Sequence, residues 1–137
     1  MKKILLDTNA YTSLLTGDEN LLDVVAAAEI LYMSIFVMGE LYAGFAGGTR
    51  ENENRETLHR FLKTSTAKIL NATTETASVF SFVKNQLKKA GTPLPITDVW
   101  IAAHGLESGS TIVTYDAHFT MVPGVRVWSG SRPPHSA

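Results

Sequence analysis

The sequence predicts an α/β fold, namely a three-layer α/β/α sandwich with a central, mostly parallel sheet. Short apolar runs alternate along the chain with longer helical segments, as expected when helical crossovers join parallel strands. The first run, "ILL" at residues 4–6, is apolar at every position. Such a run is typical of a parallel strand that is buried on both faces.

Four segments are expected to be strands, because each is short, apolar and bounded by polar or turn residues. Between them, six segments carry apolar residues at the spacing of one helix face. Gly17, Gly47 and Gly91 are expected where helices end, and "TPLP" at residues 92–95 is expected to be a stiff extended connection. The predicted strands are 4–6, 30–34, 67–70 and 111–114, and the predicted helices are 10–15, 20–28, 37–46, 51–65, 74–90 and 98–106.

Composition narrows the class of protein. The 137 residues are 45% hydrophobic and 18% charged, which fits one domain over residues 1–130, with 131–137 as a flexible tail. The chain has no cysteine, which excludes disulfides, thiolate metal sites and cysteine nucleophiles. No apolar stretch is long and uncharged enough to span a membrane or to act as a signal peptide, so a cytoplasmic location is expected.

Acidic residues follow two of the predicted strands. Asp7 comes directly after residues 4–6, and Asp116 follows residues 111–114 by two positions. The carboxyl ends of parallel strands meet at one edge of the sheet, where α/β proteins bind ligands. The sequence therefore predicts that Asp7 and Asp116 lie at the same edge.

Two further acids are candidates for the same site. Glu40 lies on the helix after the second strand, with Gly44 and Gly47 on the same face, which leaves space for a ligand. Asp98 opens a helix that is apolar on nearly every side. Taken singly, Asp7, Asp98 and Asp116 are more simply explained as helix caps or turn residues, and Glu40 as an exposed helix residue.

Taken together, the four acids predict a bound cation, because clustered carboxylates repel one another and raise each other's pKa unless a cation neutralises them. Carboxylates without cysteine favour hard ions such as Mg²⁺ or Mn²⁺. Such an ion can activate water for in-line attack on a phosphodiester. The formal net charge of −1 means that binding to nucleic acid needs local positive charge.

Four motifs resemble, in the same order, those of PIN-domain ribonucleases, and the size and spacing resemble VapC-type toxins of toxin–antitoxin modules. The motifs are "LLDTN" at 5–9, "MGELYAG" at 38–44, "PITDVWIAA" at 95–103 and "TYDAHF" at 114–119. The resemblance implies a Mg²⁺- or Mn²⁺-dependent endoribonuclease that cuts structured RNA, such as transfer RNA or a ribosomal RNA loop. By position it makes Asp7, Glu40, Asp98 and Asp116 the catalytic and metal-binding residues, with Asp116 binding directly or through water, and Thr8, Asn9 and Thr114 supporting polar residues.

The resemblance also implies a homodimer, or a higher hetero-oligomer, and a cognate VapB-like antitoxin. Its docking surface is expected near an apolar group of side chains that can equally be ordinary core: Tyr11, Leu14, Leu15 and Tyr42. His104 is expected to be a hydrogen-bonded core histidine, His118 a structural residue and Trp100 a core residue. The candidates for guiding RNA, which can also be solvated helix faces, are Arg50, Lys84, Lys88 and Lys89.

Two other functions remain open from the sequence. An aspartate phosphatase would use Asp7 as its nucleophile, but Asn9 stands where such an enzyme needs a second acid. A non-catalytic PIN-like binding module would keep the sheet and the partner surface. The presence of all four acids argues against that alternative.

Overall fold

Five parallel strands form the central sheet of the computed structural model, which describes residues 1–130. The strands are β1 (Lys3–Leu6), β2 (Ile30–Ser34), β3 (Ala67–Leu70), β4 (Thr111–Val113) and β5 (Arg126–Trp128). They lie in the order β3-β2-β1-β4-β5, and every neighbouring pair is parallel. The predicted parallel sheet is confirmed, whereas the expected tail at 131–137 lies outside the described residues.

Helices connect the strands and cover the sheet. They are α1 (Thr8–Leu15), α2 (Glu19–Ala27), α3 (Ile35–Ala46), α4 (Glu51–Leu62), α5 (Thr74–Ala90), α6 (Ile96–Ser108) and a 3₁₀ helix (Ala117–Met121). Strands β2 and β3 follow β1 in the chain and lie on one side of it. Helices α5 and α6 then connect β3 to β4, which lies on the other side of β1. Right-handed crossovers in the two directions place helices on opposite faces, which gives the α/β/α sandwich.

Local sequence explains the main elements. Ile4, Leu5 and Leu6 of β1 are fully buried, as expected for the middle strand of a parallel sheet. Helix α5 begins with a reciprocal pair of hydrogen bonds between Thr73 and Thr76, and it ends at Gly91, whose φ of +69° is favourable for glycine. Within residues 1–130, no helix is both long enough and apolar enough to cross a membrane.

Several boundaries differ from the prediction by one to three residues, and one of them concerns a residue of the predicted site. Helix α6 begins at Ile96, after Pro95, so Asp98 lies in the first turn and is not the residue that opens the helix. Proline fixes its own φ and has no N–H to lose at a helix start, which explains the earlier boundary. Gly47 ends α3 as predicted, but its φ of −80° is right-handed, so this helix end does not depend on glycine.

Strand β5 was not predicted. It has only three residues, and its side chains are exposed or half-buried, so it lacks the apolar run that marks the other strands. Its pairing with β4, in which Thr111 lies opposite Arg126 and Val113 opposite Trp128, defines it. The strand exists because an edge of the sheet is available, and that is a tertiary property.

The expected docking residues divide between core and surface. Tyr11 and Leu14 are 1% and 7% exposed and belong to the hydrophobic core, so placing them on a docking surface was wrong. Leu15 is 50% exposed. Tyr42 is half-buried, and its hydroxyl lies 3.1 Å from His59 Nε2.

His104 is a fully buried, hydrogen-bonded histidine, as predicted. Its Nε2 lies 3.2 Å from the Asn71 carbonyl, which can only accept, and its Nδ1 lies 2.8 Å from Ser34 Oγ. The proton is therefore on Nε2, and Nδ1 accepts from the Ser34 hydroxyl. This network joins α6 to the ends of β2 and β3, and burial lowers the pKa of His104.

We expect the free energy of unfolding to fall with decreasing pH because of His104. Its pKa is lower in the folded than in the unfolded chain, so the unfolded chain gains the proton first as pH drops below the ordinary value of 6.5. The loss approaches about 1.4 kcal/mol per pH unit between the two pKa values. Urea unfolding at pH 7.5 and 5.5 should show a smaller pH dependence for His104→Gln than for the wild type, and equal dependences would contradict the assignment.

Candidate metal centre

A cavity of about 340 Å³ opens beyond the carboxyl ends of β1 and β4. The strand order reverses at this point, because β2 and β3 lie on one side of β1 whereas β4 and β5 lie on its other side. Ligands of open α/β sheets bind at such a reversal. We call it the acidic cavity, and it is lined by Asp7, Thr8, Asn9, Glu40, Pro95, Ile96, Thr97, Asp98 and Asp116. The structure thus brings all four predicted acids to one place.

Asp7 is the most buried of these acids, at 6% exposed. Strand β1 places it at the start of α1, where its Oδ1 accepts a hydrogen bond of 2.8 Å from the Ala10 N–H. Its Oδ2 accepts a hydrogen bond from the Thr114 hydroxyl. Asp7 is therefore a helix cap, which is the alternative explanation that the sequence offers for it, and it also faces the acidic cavity.

The pKa of Asp7 is raised above its ordinary value. The main cause is burial, which penalises the charged form, and the nearby charges of Asp116 and Glu40 add to it. The hydrogen bonds from Thr114 and Ala10 oppose the rise. A carboxylate in this position is unfavourable as an isolated anion and would be stabilised by a cation.

Glu40 reaches the acidic cavity from α3. It is exposed, and its Oε1 accepts a hydrogen bond from the Thr8 hydroxyl. Within residues 1–130, and apart from the adjacent residues and the local backbone of α3, no heavy atom would lie within 4 Å of a Cβ added at Gly44, one turn further along α3. This confirms the open space that the sequence predicts near Glu40, and it gives Thr8 a specific contact with an acid.

We expect Thr8→Val to weaken the function of Glu40 without unfolding the protein. The substitution removes the hydroxyl that orients the carboxylate, and loss of such a supporting contact typically costs about 10-fold or more in activity. Thr8 is half-buried at the open acidic cavity and is not part of the hydrophobic core, so the free energy of unfolding should change by about 1 kcal/mol, the net contribution of one hydrogen bond. Thr8→Ser, which keeps the hydroxyl, should retain activity; equal losses in both variants would show that the hydrogen bond is not the cause.

Asp116 follows β4 and caps the 3₁₀ helix. Its Oδ1 accepts a hydrogen bond of 3.1 Å from the His118 N–H, while its own N–H donates to Thr114 Oγ1 at 2.8 Å. Thr114 is fully buried and therefore joins two acids through one hydroxyl, because it also donates to Asp7. This contact between β1 and β4 sets the position of both carboxylates.

Asp98 points into the acidic cavity from the first turn of α6. Its pKa is raised mainly by burial, while the His118 imidazole lowers it and the charges of Glu40, Asp7 and Asp116 raise it further. His118 Nε2 lies 2.9 Å from Asp98 Oδ2, and His118 Nδ1 lies 3.0 Å from Asp116 Oδ1. The Nε2 contact has the distance of an ion pair but not the angles of a hydrogen bond, so Nε2 is buried without a hydrogen-bond partner in residues 1–130.

A family model confirms the relationship that the motifs indicate. The model of the PIN domain matches residues 4–125. The chain belongs to the PIN-domain family. Among curated protein sequences, a search found no match to this PIN domain.

Solved structures share the fold of this PIN domain. A chain of the DNA-bound VapBC structure from Salmonella typhimurium matches with a TM-score of 0.82 and 24% identity, over 93% of this chain and 98% of that chain. FitAcB from Neisseria gonorrhoeae matches with a TM-score of 0.74 and 25% identity, over 91% and 96%. VapC20 of Mycobacterium tuberculosis, described as a sarcin-ricin loop cleaving toxin, matches with a TM-score of 0.68 and 16% identity, over 95% and 99%.

The donor set of this PIN domain fits a hard divalent cation. All four acids offer oxygen ligands, and a bound cation would favour the charged forms of Asp7 and Asp98, whose pKa values are raised mainly by burial and further by the neighbouring acids. In residues 1–130, no three acidic or histidine side chains are arranged as ligands around one point. The carboxylates instead contact Thr8, Thr114 and His118, and these contacts hold the acids near one another.

Some residues of the site were not predicted from the sequence. Pro95, Ile96 and Thr97 form one wall of the acidic cavity, and the only signal for them is their place directly before Asp98 in "PITD". His118 was predicted to be structural, and the structure adds its contacts with two of the acids. Asn9 lines the cavity as expected of a supporting residue.

Proposed function

We propose that this PIN domain is a metal-dependent endoribonuclease that acts as the toxin of a VapC-type toxin–antitoxin pair. One observation carries the proposal, namely the convergence of Asp7, Glu40, Asp98 and Asp116 on one cavity at the reversal of strand order. Membership of the PIN-domain family supports nuclease chemistry, and the fold shared with VapBC chains supports the toxin assignment. Structured RNA, such as a transfer RNA or a ribosomal RNA loop, is the proposed substrate.

Asp7, Asp98 and Glu40 would hold Mg²⁺ or Mn²⁺, with Asp116 acting directly or through water. When bound, such an ion supplies an activated water and neutralises charge that develops on the phosphate and the leaving oxygen. Thr114 holds Asp7 and Asp116 in one orientation, and Thr8 does the same for Glu40. Because Asp7 is buried, its interactions with charges in the cavity are less screened than at an open surface.

The proposed partners follow from the same assignment. A VapB-like antitoxin would bind the toxin and block the acidic cavity, for which a basic side chain is complementary to the four carboxylates. The matched structures include VapBC complexes from other organisms, and two of these complexes are bound to DNA. We further propose a homodimer and an RNA-cleaving activity in the cytoplasm.

The direct test is cleavage of RNA by purified protein that is free of antitoxin. Bulk transfer RNA and ribosomal RNA should yield discrete fragments with Mg²⁺ or Mn²⁺, and none after addition of EDTA. Sequencing of the fragment ends then identifies the cleaved bond. Intact RNA under every metal condition would overturn the proposal.

The same preparation separates the two alternatives. A phosphatase would hydrolyse a small phosphomonoester and form a phosphoaspartate at Asp7, whereas a binding module would do neither and would still copurify with its partner. Mass spectrometry of the intact protein detects the phosphoaspartate. Formation of that adduct would favour the phosphatase over the nuclease.

A further inference from the structure

The acidic cavity alone is a poor surface for an RNA strand, and the inference that follows rests on the proposed nuclease function. Among residues 1–130, its lining holds four acids and no lysine or arginine, while each nucleotide next to the cleaved bond carries a phosphate. Proteins neutralise backbone phosphates mainly with lysine and arginine. The cations that bind the flanking phosphates must therefore lie beside the cavity.

A second groove lies next to the acidic cavity. It has a volume of about 150 Å³ and is lined by Lys84, Leu87, Lys88, Pro93, Leu94 and Val99; we call it the lysine groove. Leu87 and Val99 are almost fully buried and form its floor, and the surface inside the groove is almost entirely apolar. The two exposed lysines therefore line it with their carbon stems, and their ammonium groups lie at its rim. Lys84 and Lys88 are four residues apart on α5 and so project from the same face of the helix.

Both lysines have their charge available for a ligand. Neither forms an ion pair with any acid in residues 1–130. Arg50, another of the four cations that the sequence associates with RNA, is 2.6 Å from Glu53 and is therefore paired. Lys89 does not line the groove.

One short segment separates the two sites. Pro93, Leu94 and Val99 face the lysine groove, while residues 95–98 face the acidic cavity. Residues 93–99 are continuous in the chain, with consecutive Cα atoms about 3.8 Å apart. The two sites are therefore neighbours, separated by this one segment. The segment contains Pro93 and Pro95, whose fixed φ angles stiffen it, and Ile96 on it is 53% exposed.

We propose that Lys84 and Lys88 bind backbone phosphates of the RNA strand whose cleaved bond lies in the acidic cavity. The strand crosses residues 93–96, and its neighbouring phosphates then meet the two ammonium groups. Lysine is a point-charge phosphate binder that needs no fixed orientation of the ligand, so the groove supplies affinity without reading a base sequence. The choice of RNA then depends on other contacts.

A second basic site provides a matched control. A cavity of about 400 Å³ is lined by Met1, Lys2, Lys3, Gly109, Thr111 and Arg126. Lys3 and Arg126 stand at the amino ends of β1 and β5, so this site lies at the opposite edge of the sheet from the four acids. It has the same kind of charge in a position that the proposed path of the RNA does not reach.

The test compares Lys84→Gln/Lys88→Gln with Lys2→Gln/Lys3→Gln, each in the full chain. Binding of bulk transfer RNA is measured from low to high salt with Asp7→Asn added to prevent cleavage. Each lost phosphate contact should lower the slope of log Kd against log salt by about 0.7, hence by about 1.4 for the groove pair. In the cleaving protein the groove pair should raise KM roughly tenfold, equivalent to about 1.4 kcal/mol of binding free energy.

The outcomes separate this inference from the proposed function. The control pair should keep the slope and KM of its parent, and circular dichroism melting should confirm that both pairs are folded. If the parent cleaves RNA but the groove pair keeps its slope and KM, or if the control pair loses as much, the lysine groove is not the phosphate site. If the parent neither binds nor cleaves RNA, both proposals fail.

Discussion

We expect Asp7→Asn to lower RNA cleavage by at least about 10³-fold, the largest effect of any single substitution considered. Asp7 is the most buried acid of the cavity, and it is the one placed by the central strand β1. Asn has a similar shape but no negative charge with which to hold a divalent ion. A metal ion contributes several kcal/mol to the transition state, and each 1.36 kcal/mol corresponds to about a factor of ten in rate.

The same substitution should leave the metal-free protein as stable as the wild type or more stable. Burial and neighbouring acids raise the pKa of Asp7, so its charged form destabilises the folded chain at neutral pH. Asn is also a good N-cap and keeps an oxygen for the Ala10 N–H. We therefore expect an unchanged or higher Tm in EDTA together with lost activity.

Asp18 offers a matched control for this experiment. It caps α2 through the Leu21 N–H, as Asp7 caps α1, but it does not line the acidic cavity. Asp18→Asn should therefore retain cleavage. The assignment of Asp7 as a metal ligand is contradicted if Asp7→Asn remains active. It is also contradicted if Asp7→Asn and Asp18→Asn lose activity and Tm to the same extent.

We expect Thr114→Val to have the second largest effect, because Thr114 serves two acids at once. Valine has nearly the same shape, but it removes the hydroxyl that donates to Asp7 and accepts from the Asp116 N–H. Loss of a group that orients metal ligands typically costs about 10- to 100-fold in activity or metal affinity. The partly buried Asp116 N–H also loses its acceptor, and leaving it unpaired costs about 1 kcal/mol of stability.

Two measurements distinguish the positioning role of Thr114 from simple destabilisation. Mn²⁺ affinity, followed by calorimetry, should fall in Thr114→Val and recover in Thr114→Ser, which restores the hydroxyl. Urea unfolding reports the stability of each variant separately. An unchanged Mn²⁺ affinity in a folded Thr114→Val protein would mean that the hydrogen bond does not position the ligands.

The cap geometry resolves the two interpretations of the acids that the sequence left open. Asp7 and Asp116 are helix caps, and they also line the acidic cavity. These roles are compatible, because one carboxylate oxygen can accept a backbone N–H while the carboxylate still faces the cavity. Capping therefore helps to orient the acids.

The strands and helices with periodic or continuous apolar patterns could be predicted from the sequence. Strands β2 and β3 have the predicted bounds, and so does α5, because an apolar run, a cap or a left-handed glycine is a local feature. The meeting of the four acids was also predictable. It depends on the family motifs and on a general rule about the carboxyl ends of parallel strands.

Features that depend on contacts between residues distant in sequence could not be predicted and are visible only in the folded protein. Strand β5 exists through its pairing with β4, Thr114 links Asp7 to Asp116, and His118 contacts Asp98 across the site. The lysine groove likewise requires α5 and the segment before α6 to pack together. The physical reason is that hydrogen bonds, burial and charge interactions are set by distances in space, which local patterns do not specify.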